Sequence, residues 1–176
     1  MTAAPEYRRP EAAECAPFHL PYVGEVSDGD VLQTMERQLH ETTALLETVP
    51  ADKADFAYAS GKWSIKQVVG HLLDAERIFA YRALRIARGD LTPLPGFDEK
   101  LYVPASGAER RTLIDLLAEF HAVRRASLAL FHHLPAEAAT RTGIVSGVTV
   151  SVRALAWVIT GHELHHVRIL RTRYLV

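Results

Sequence analysis

The sequence predicts an all-α protein: a four-helix bundle in up-down-down-up order, with a long crossover between the second and third helices. Three observations carry this. Four segments repeat apolar residues at the helical period, and no strand pattern competes with them. Two connections are too long for simple hairpins. Histidines on the second and fourth segments sit at one depth only if those segments run antiparallel.

The elements follow in order. Residues 1–26 contain Pro5, Pro10, Pro17 and Pro21, and are expected to form an irregular segment laid over a single domain of residues 27–176. The first helix is expected from about Asp28 to Thr48, with Val31, Leu32, Met35, Leu39 and Leu46 on its apolar side, ending before Pro50. Ser64 followed by Gln67 reads as a capping box opening the second helix, which Gly89 closes as a C-terminal cap. Ser106 and Glu109 read as another capping box, opening a third helix through Leu113, Leu116, Phe120, Val123 and Leu130 to Pro135. Residues 141–150 hold β-branched residues and two glycines, which allows a short extended turn. The fourth helix runs from near Ser151 to about Arg173.

Composition narrows the function. With 176 residues, 48% of them hydrophobic and 23% charged, the chain can bury a real core. A net charge of −1 gives no electrostatic case for nucleic acid or an anionic membrane. The single cysteine, Cys15, cannot form an internal disulfide, which is consistent with a reducing cytoplasm. Arg8-Arg9 is followed by Pro10-Glu11-Ala12-Ala13-Glu14 and not by an apolar region, so no signal peptide is read. No apolar run approaches the roughly 18 residues of a membrane span.

The most informative motif is Gly161-His162-Glu163-Leu164-His165-His166. His162 and His166 stand at i and i+4, stacked on one helix face and able to share a metal ion. The same residues match H-E-x-x-H, the helix motif of zinc proteases. The metzincin continuation fails, because Ile169 replaces its glycine and Thr172 its last histidine. Only ten residues follow His166, so a third ligand is expected upstream.

His71 is the best candidate. It edges the apolar stripe of Ile65, Val68, Leu72, Phe79 and Ala83 on the second helix, as His162 and His166 do beside Leu155, Val158 and Ile159 on the fourth. It lies seven residues after Ser64, and His166 lies seven before Arg173. Antiparallel helices therefore bring them level, whereas a plain up-down-up-down bundle would separate them by about 10 Å. The stretch from Asp90 to Ala105 can span roughly 50 Å if extended, enough for the crossover this requires. Hydrogen-bonded core histidines are the alternative, but three buried rings are hard to satisfy without a shared partner.

Other residues carry weaker signals. His165 points about 100° from the ligand stripe and is expected at the surface or behind the ligands. His132 and His133 suit a helix C-terminus. His121, Trp63 and Trp157 read as packing residues, and His19 and His40 give no usable signal. Tyr81, Arg82 and Tyr102 are candidates for the mouth of a cleft.

The chain also resembles the DinB-like, or YfiT-type, family of small bacterial four-helix metalloproteins. The resemblance rests on Lys62-Trp63-Ser64, on His71-x-x-Asp74-x-Glu76, on Leu94-Pro95-Gly96-Phe97-Asp98 and on the closing Gly161-His162-Glu163-x-His165-His166. It implies a divalent metal on His71, His162 and His166, the same bundle topology, and a homodimer. It also implies an enzyme: some members are S-transferases using mycothiol, bacillithiol or glutathione, one of them an isomerase of maleylpyruvate.

Three neutral imidazoles suit zinc or nickel and leave a coordination position free. There a metal lowers the pKa of bound water for hydrolysis, or holds a low-molecular-weight thiol as thiolate. Glu163 and Asp74 are the nearest acids along their helices and the candidates to orient a ligand or move a proton. The expectation is a small-molecule enzyme, a thiol transferase or a hydrolase. A non-catalytic metal-binding or stress-response protein is the alternative.

Overall fold

The computed structural model describes residues 6–176; residues 1–5, with Pro5, lie outside the described residues. Among the described residues six α-helices follow in order: α1 (Leu20–Glu25), α2 (Val31–Glu47), α3 (Ile65–Ala87), α4 (Glu99–Ala105), α5 (Leu113–His132) and α6 (Val152–Ile169). A two-stranded hairpin, β1 (Thr142–Val145) and β2 (Val148–Ser151), leads directly into α6. The long helices start where a short polar side chain takes the amides that a first turn leaves unpaired. Asp30 does this for α2, Ser64 with Gln67 for α3, Thr112 for α5 and Ser151 for α6.

Side-chain pairs fix the direction of each helix. His71, early in α3, meets His166, late in α6, so these two run antiparallel. Gln38 reaches Thr160 and Thr42 reaches Glu163, which makes α2 and α6 parallel. Glu36 faces His132 and Thr43 faces His121, so α2 and α5 oppose each other. Lys66 reaches Glu109 just before α5, and Glu76 reaches Arg124 within it, so α3 and α5 are parallel. The bundle is up-down-down-up, with the crossover between α3 and α5. No described helix is long and apolar enough to cross a membrane.

The structure departs from the sequence expectations at three places. The third long helix begins at Leu113 and not at Ser106. Ser106 instead ends α4, and Gly107 follows in the left-handed conformation (φ 70°), which breaks the helix before a single 3-10 turn. The crossover itself contains α4, capped by Asp98, whose side chain accepts from the Lys100 amide. The N-terminal segment is more ordered than expected: Tyr7, Cys15, Val23 and Val26 are buried, and Leu20–Glu25 is helical.

Two apolar clusters fill the bundle. One gathers Met35, Phe79, Phe131, Leu155 and Trp157; the other gathers Leu46, Ile65, Val69, Leu116 and Phe120. Between them lies a polar layer drawn from all four long helices. Arg124 donates to both carboxylate oxygens of Glu76 at 2.8 and 2.9 Å, to Glu163 at 2.6 Å and to the Met35 carbonyl at 3.0 Å. Arg124 and Glu163 are each 1% exposed, so these bonds form in a dry interior where an unpaired charge is costly.

Candidate metal centre

The three expected histidines converge. His71 on α3 and His162 and His166 on α6 each offer a ring nitrogen, and these atoms all lie within 4.8 Å of one another. The Nε2 atoms of His71 and His162 are 2.9 Å apart. The rings are 6%, 6% and 9% exposed, and no protein hydrogen bond reaches them beyond that mutual contact. Burial lowers all three pKa values: His71 to about 4, His166 to about 3, and His162 well below its usual value. The rings are therefore neutral at physiological pH, each with one ring nitrogen able to act as a ligand. That donor set fits a borderline divalent metal such as zinc or nickel. Trp63 flanks His71, with ring centroids 4.9 Å apart.

The two candidate acids are placed elsewhere. Glu163 points away from the histidines into the polar layer, where Thr42 donates to one oxygen (2.5 Å) and Arg124 to the other (2.6 Å). Burial raises its pKa against the pull of Arg124, because that one guanidinium is shared with Glu76. This is not the setting of an H-E-x-x-H general base, whose carboxylate must face the metal. Asp74 is half-buried beside Arg77 and Glu119, and burial raises its pKa as well. It does not line the cavity over the histidines.

That cavity has a volume of about 350 Å³ and opens directly above the three rings. Arg82 lines it as expected, whereas Tyr81 lies in a separate surface groove and Tyr102, tilted against the Phe97 ring, does not line it. Other lining residues gave no readable signal: His19 and Tyr22 from the N-terminal segment, and Glu99 from α4. Glu99 makes no ion pair among the described residues, and its charge is felt at His71 and Tyr22. His19 is buried, its pKa pushed down to about 4 by burial and then by Arg82, and its Nδ1 has no hydrogen-bond partner.

Two local features enclose this cavity. Gly161 lets α1 lie directly on α6, because a Cβ there would overlap the Tyr22 carbonyl oxygen. His165, just off the ligand stripe, holds the same helix through Glu25 (3.3 Å), as does Arg168 (2.8 Å). On the other side the crossover is stitched to the hairpin. The Leu94 amide donates to the Ile144 carbonyl and the Ser146 amide to the Leu94 carbonyl, each at 2.9 Å. Pro95, Gly96 and Phe97 are thereby set over the site, with Glu99 one turn on.

The profile of the DinB superfamily matches residues 34–170, from α2 to the end of α6, and takes in all three histidines. The chain belongs to the DinB superfamily. Among solved structures it is similar to YfiT from Bacillus subtilis, described as a probable metal-dependent hydrolase with an unusual four-helix bundle topology. The two share 18% identity with a TM-score of 0.69, over 83% of this chain and 89% of YfiT. A second B. subtilis protein, the DinB-like YjoA, is 22% identical with a TM-score of 0.58, over 81% of this chain and 87% of its own. No curated protein matches the sequence. The superfamily match begins after α1, so His19 and Tyr22 are contributed from outside the shared region.

Proposed function

We propose that His71, His162 and His166 bind a divalent metal, zinc or nickel, and that the protein is a metal-dependent enzyme acting on a small molecule. One observation carries this: among the described residues the histidine cluster includes no fourth protein ligand, and an open cavity walled by both polar and aromatic side chains adjoins it. A site closed by a fourth side chain would suit a purely structural metal. When bound, the metal would activate water for hydrolysis or hold a low-molecular-weight thiol as the nucleophilic thiolate. Glu99, in the cavity wall, would accept the proton released in either case, and Arg82 would orient the substrate. YfiT's description as a probable metal-dependent hydrolase supports the same reading. The cavity is scaled for a metabolite and not for a polypeptide. We read the protein as a cytoplasmic homodimer with no nucleic-acid or membrane partner.

Elemental analysis of purified wild-type protein should give about one equivalent of metal. His71→Ala, His162→Ala and His166→Ala should each lose it, while His165→Ala should retain it. Equal loss from His165→Ala would mean that the wrong member of the adjacent pair was chosen. In cobalt-substituted protein, glutathione, bacillithiol or mycothiol should add a sulfur-to-metal charge-transfer band if the thiol route operates. Indifference to every thiol, with turnover of esters or amides, would select hydrolysis. Metal-dependent peptide cleavage abolished by Glu163→Gln would overturn the small-molecule reading.

A further inference from the structure

Arg82 is an unusual residue to find in this wall. It is only 4% exposed, yet no carboxylate among the described residues lies within ion-pairing distance of it. Every other deeply buried arginine or lysine has an acid: Arg124 has Glu76 and Glu163, and Lys66 has Asp55. One N–H group of Arg82 donates to the Pro95 carbonyl at 2.7 Å. Phe79 and Phe97 flank the guanidinium, with its carbon 5.8 and 5.7 Å from their ring centres. Its remaining N–H groups have no protein acceptor and border the cavity over the three histidines. His19 stands beside it, buried, with Nδ1 also unpartnered.

A guanidinium taken out of water is stabilised by an anion, and its fork of N–H donors matches a carboxylate in two parallel bonds. Aromatic rings hold such a group in place but do not neutralise it. Glu99, the acid in the same cavity, acts on the His71 and Tyr22 side and leaves the pKa of Arg82 governed by burial alone. The cavity thus carries an unneutralised cation in a wall it shares with the histidine cluster and Glu99.

We propose that Arg82, supported by His19, is the anchor for a carboxylate group on the substrate. This rests on the cavity being the substrate site, but not on a metal being bound. The substrate class is then a small organic acid that fits a cavity of about 350 Å³.

The test is calorimetric titration with benzoate and its uncharged counterpart benzamide, on both metal-loaded and metal-free protein. Wild-type protein should bind benzoate at least tenfold more tightly than benzamide in both forms. Arg82→Gln should bring the two within about twofold, with metal content unchanged. Arg82→Lys, which keeps the charge but loses the fork, should retain an intermediate preference; if Arg82→Gln does not fold, this variant decides. Arg85→Gln, one turn along and paired with Asp90 at the surface, should behave as wild type. A preference that survives Arg82→Gln, or that exists only with metal bound, would overturn the proposal and assign the carboxylate to the metal. A protein that binds no metal but still discriminates through Arg82 would refute the metal reading alone.

Discussion

A single side chain, Arg124, ties the bundle together, and it is the residue whose environment local sequence says least about. Its position on the third long helix reads as an ordinary charged site. Its acids come from Glu76 and Glu163, and its carbonyl from Met35, on three other helices. Such a network costs much desolvation and holds only while complete. Arg124→Met should therefore lower unfolding stability by about 3–5 kcal/mol, since two buried acids lose their counter-charge. Glu163→Gln keeps the shape and the Thr42 contact and should cost less, about 1–3 kcal/mol, with metal content intact. Urea denaturation paired with metal analysis checks both. Loss of turnover in Glu163→Gln at unchanged stability would return this residue to the chemistry. The histidines, by contrast, were legible because i and i+4 on a known helix fix a face. The direction in which Glu163 points is set by partners 39 and 121 residues away.

Among the elements, the least readable was the one that closes the site. Helix α1 is only six residues long, too short for a period to emerge, and Pro21 suggested irregular chain. Proline in a first turn, however, breaks no helical bond, because that amide has no partner there anyway. Gly161 was visible as part of the motif, but its reason was not: it makes room for the Tyr22 backbone. Helix propensity alone predicts that Gly161→Ala gains up to about 1 kcal/mol. The overlap with a carbonyl oxygen, which is backbone and cannot rotate away, should reverse that sign and cost about 1–3 kcal/mol. The variant should also lift α1, seen as faster proteolysis between residues 15 and 30 than in wild type. A more stable variant with an unchanged digest would show that the contact is slack. The Ser64 cap of α3 was readable because its partner, Gln67, lies within one turn.

At the scale of the molecule, topology followed from matching two depths along two helices, an argument that needs no side-chain contact. The same burial that brings the rings together makes the metal-free protein sensitive to acid. His19 and His71 titrate at about 4 when folded, against about 6.5 in an unfolded chain. Between those values the unfolded chain binds more protons, so stability falls as pH drops through this window and is fully restored above 6.5. Each histidine contributes on the order of 3 kcal/mol to that loss, and His166 acts in the same direction. Urea midpoints at pH 7.5, 5.5 and 4.5 on chelator-treated protein should decline in step. A flat series would mean that the rings are hydrated in solution. Removing the metal at pH 7.5 should leave helical content unchanged, since the two apolar clusters and the Arg124 layer do not involve it.

The pair of backbone bonds at Leu94 gives the crossover a different character from that of an ordinary connecting loop. The strand it joins is β1, whose hairpin partner β2 runs straight into α6, so the roof of the cavity is tied through one hairpin to the helix beneath it. Ligand entry by swinging this loop outward would have to break those bonds first, an opening on the scale of partial unfolding. The N-terminal side is held differently: Val23 and Val26 are buried and Glu25 pairs with Arg168, but among the described residues no backbone–backbone bond joins α1 to α6, so it can part without breaking one. Traffic through the site is thus directed to one doorway, and the clock for deuterium uptake should run slowly at Leu94 and Ser146 and fast along α1.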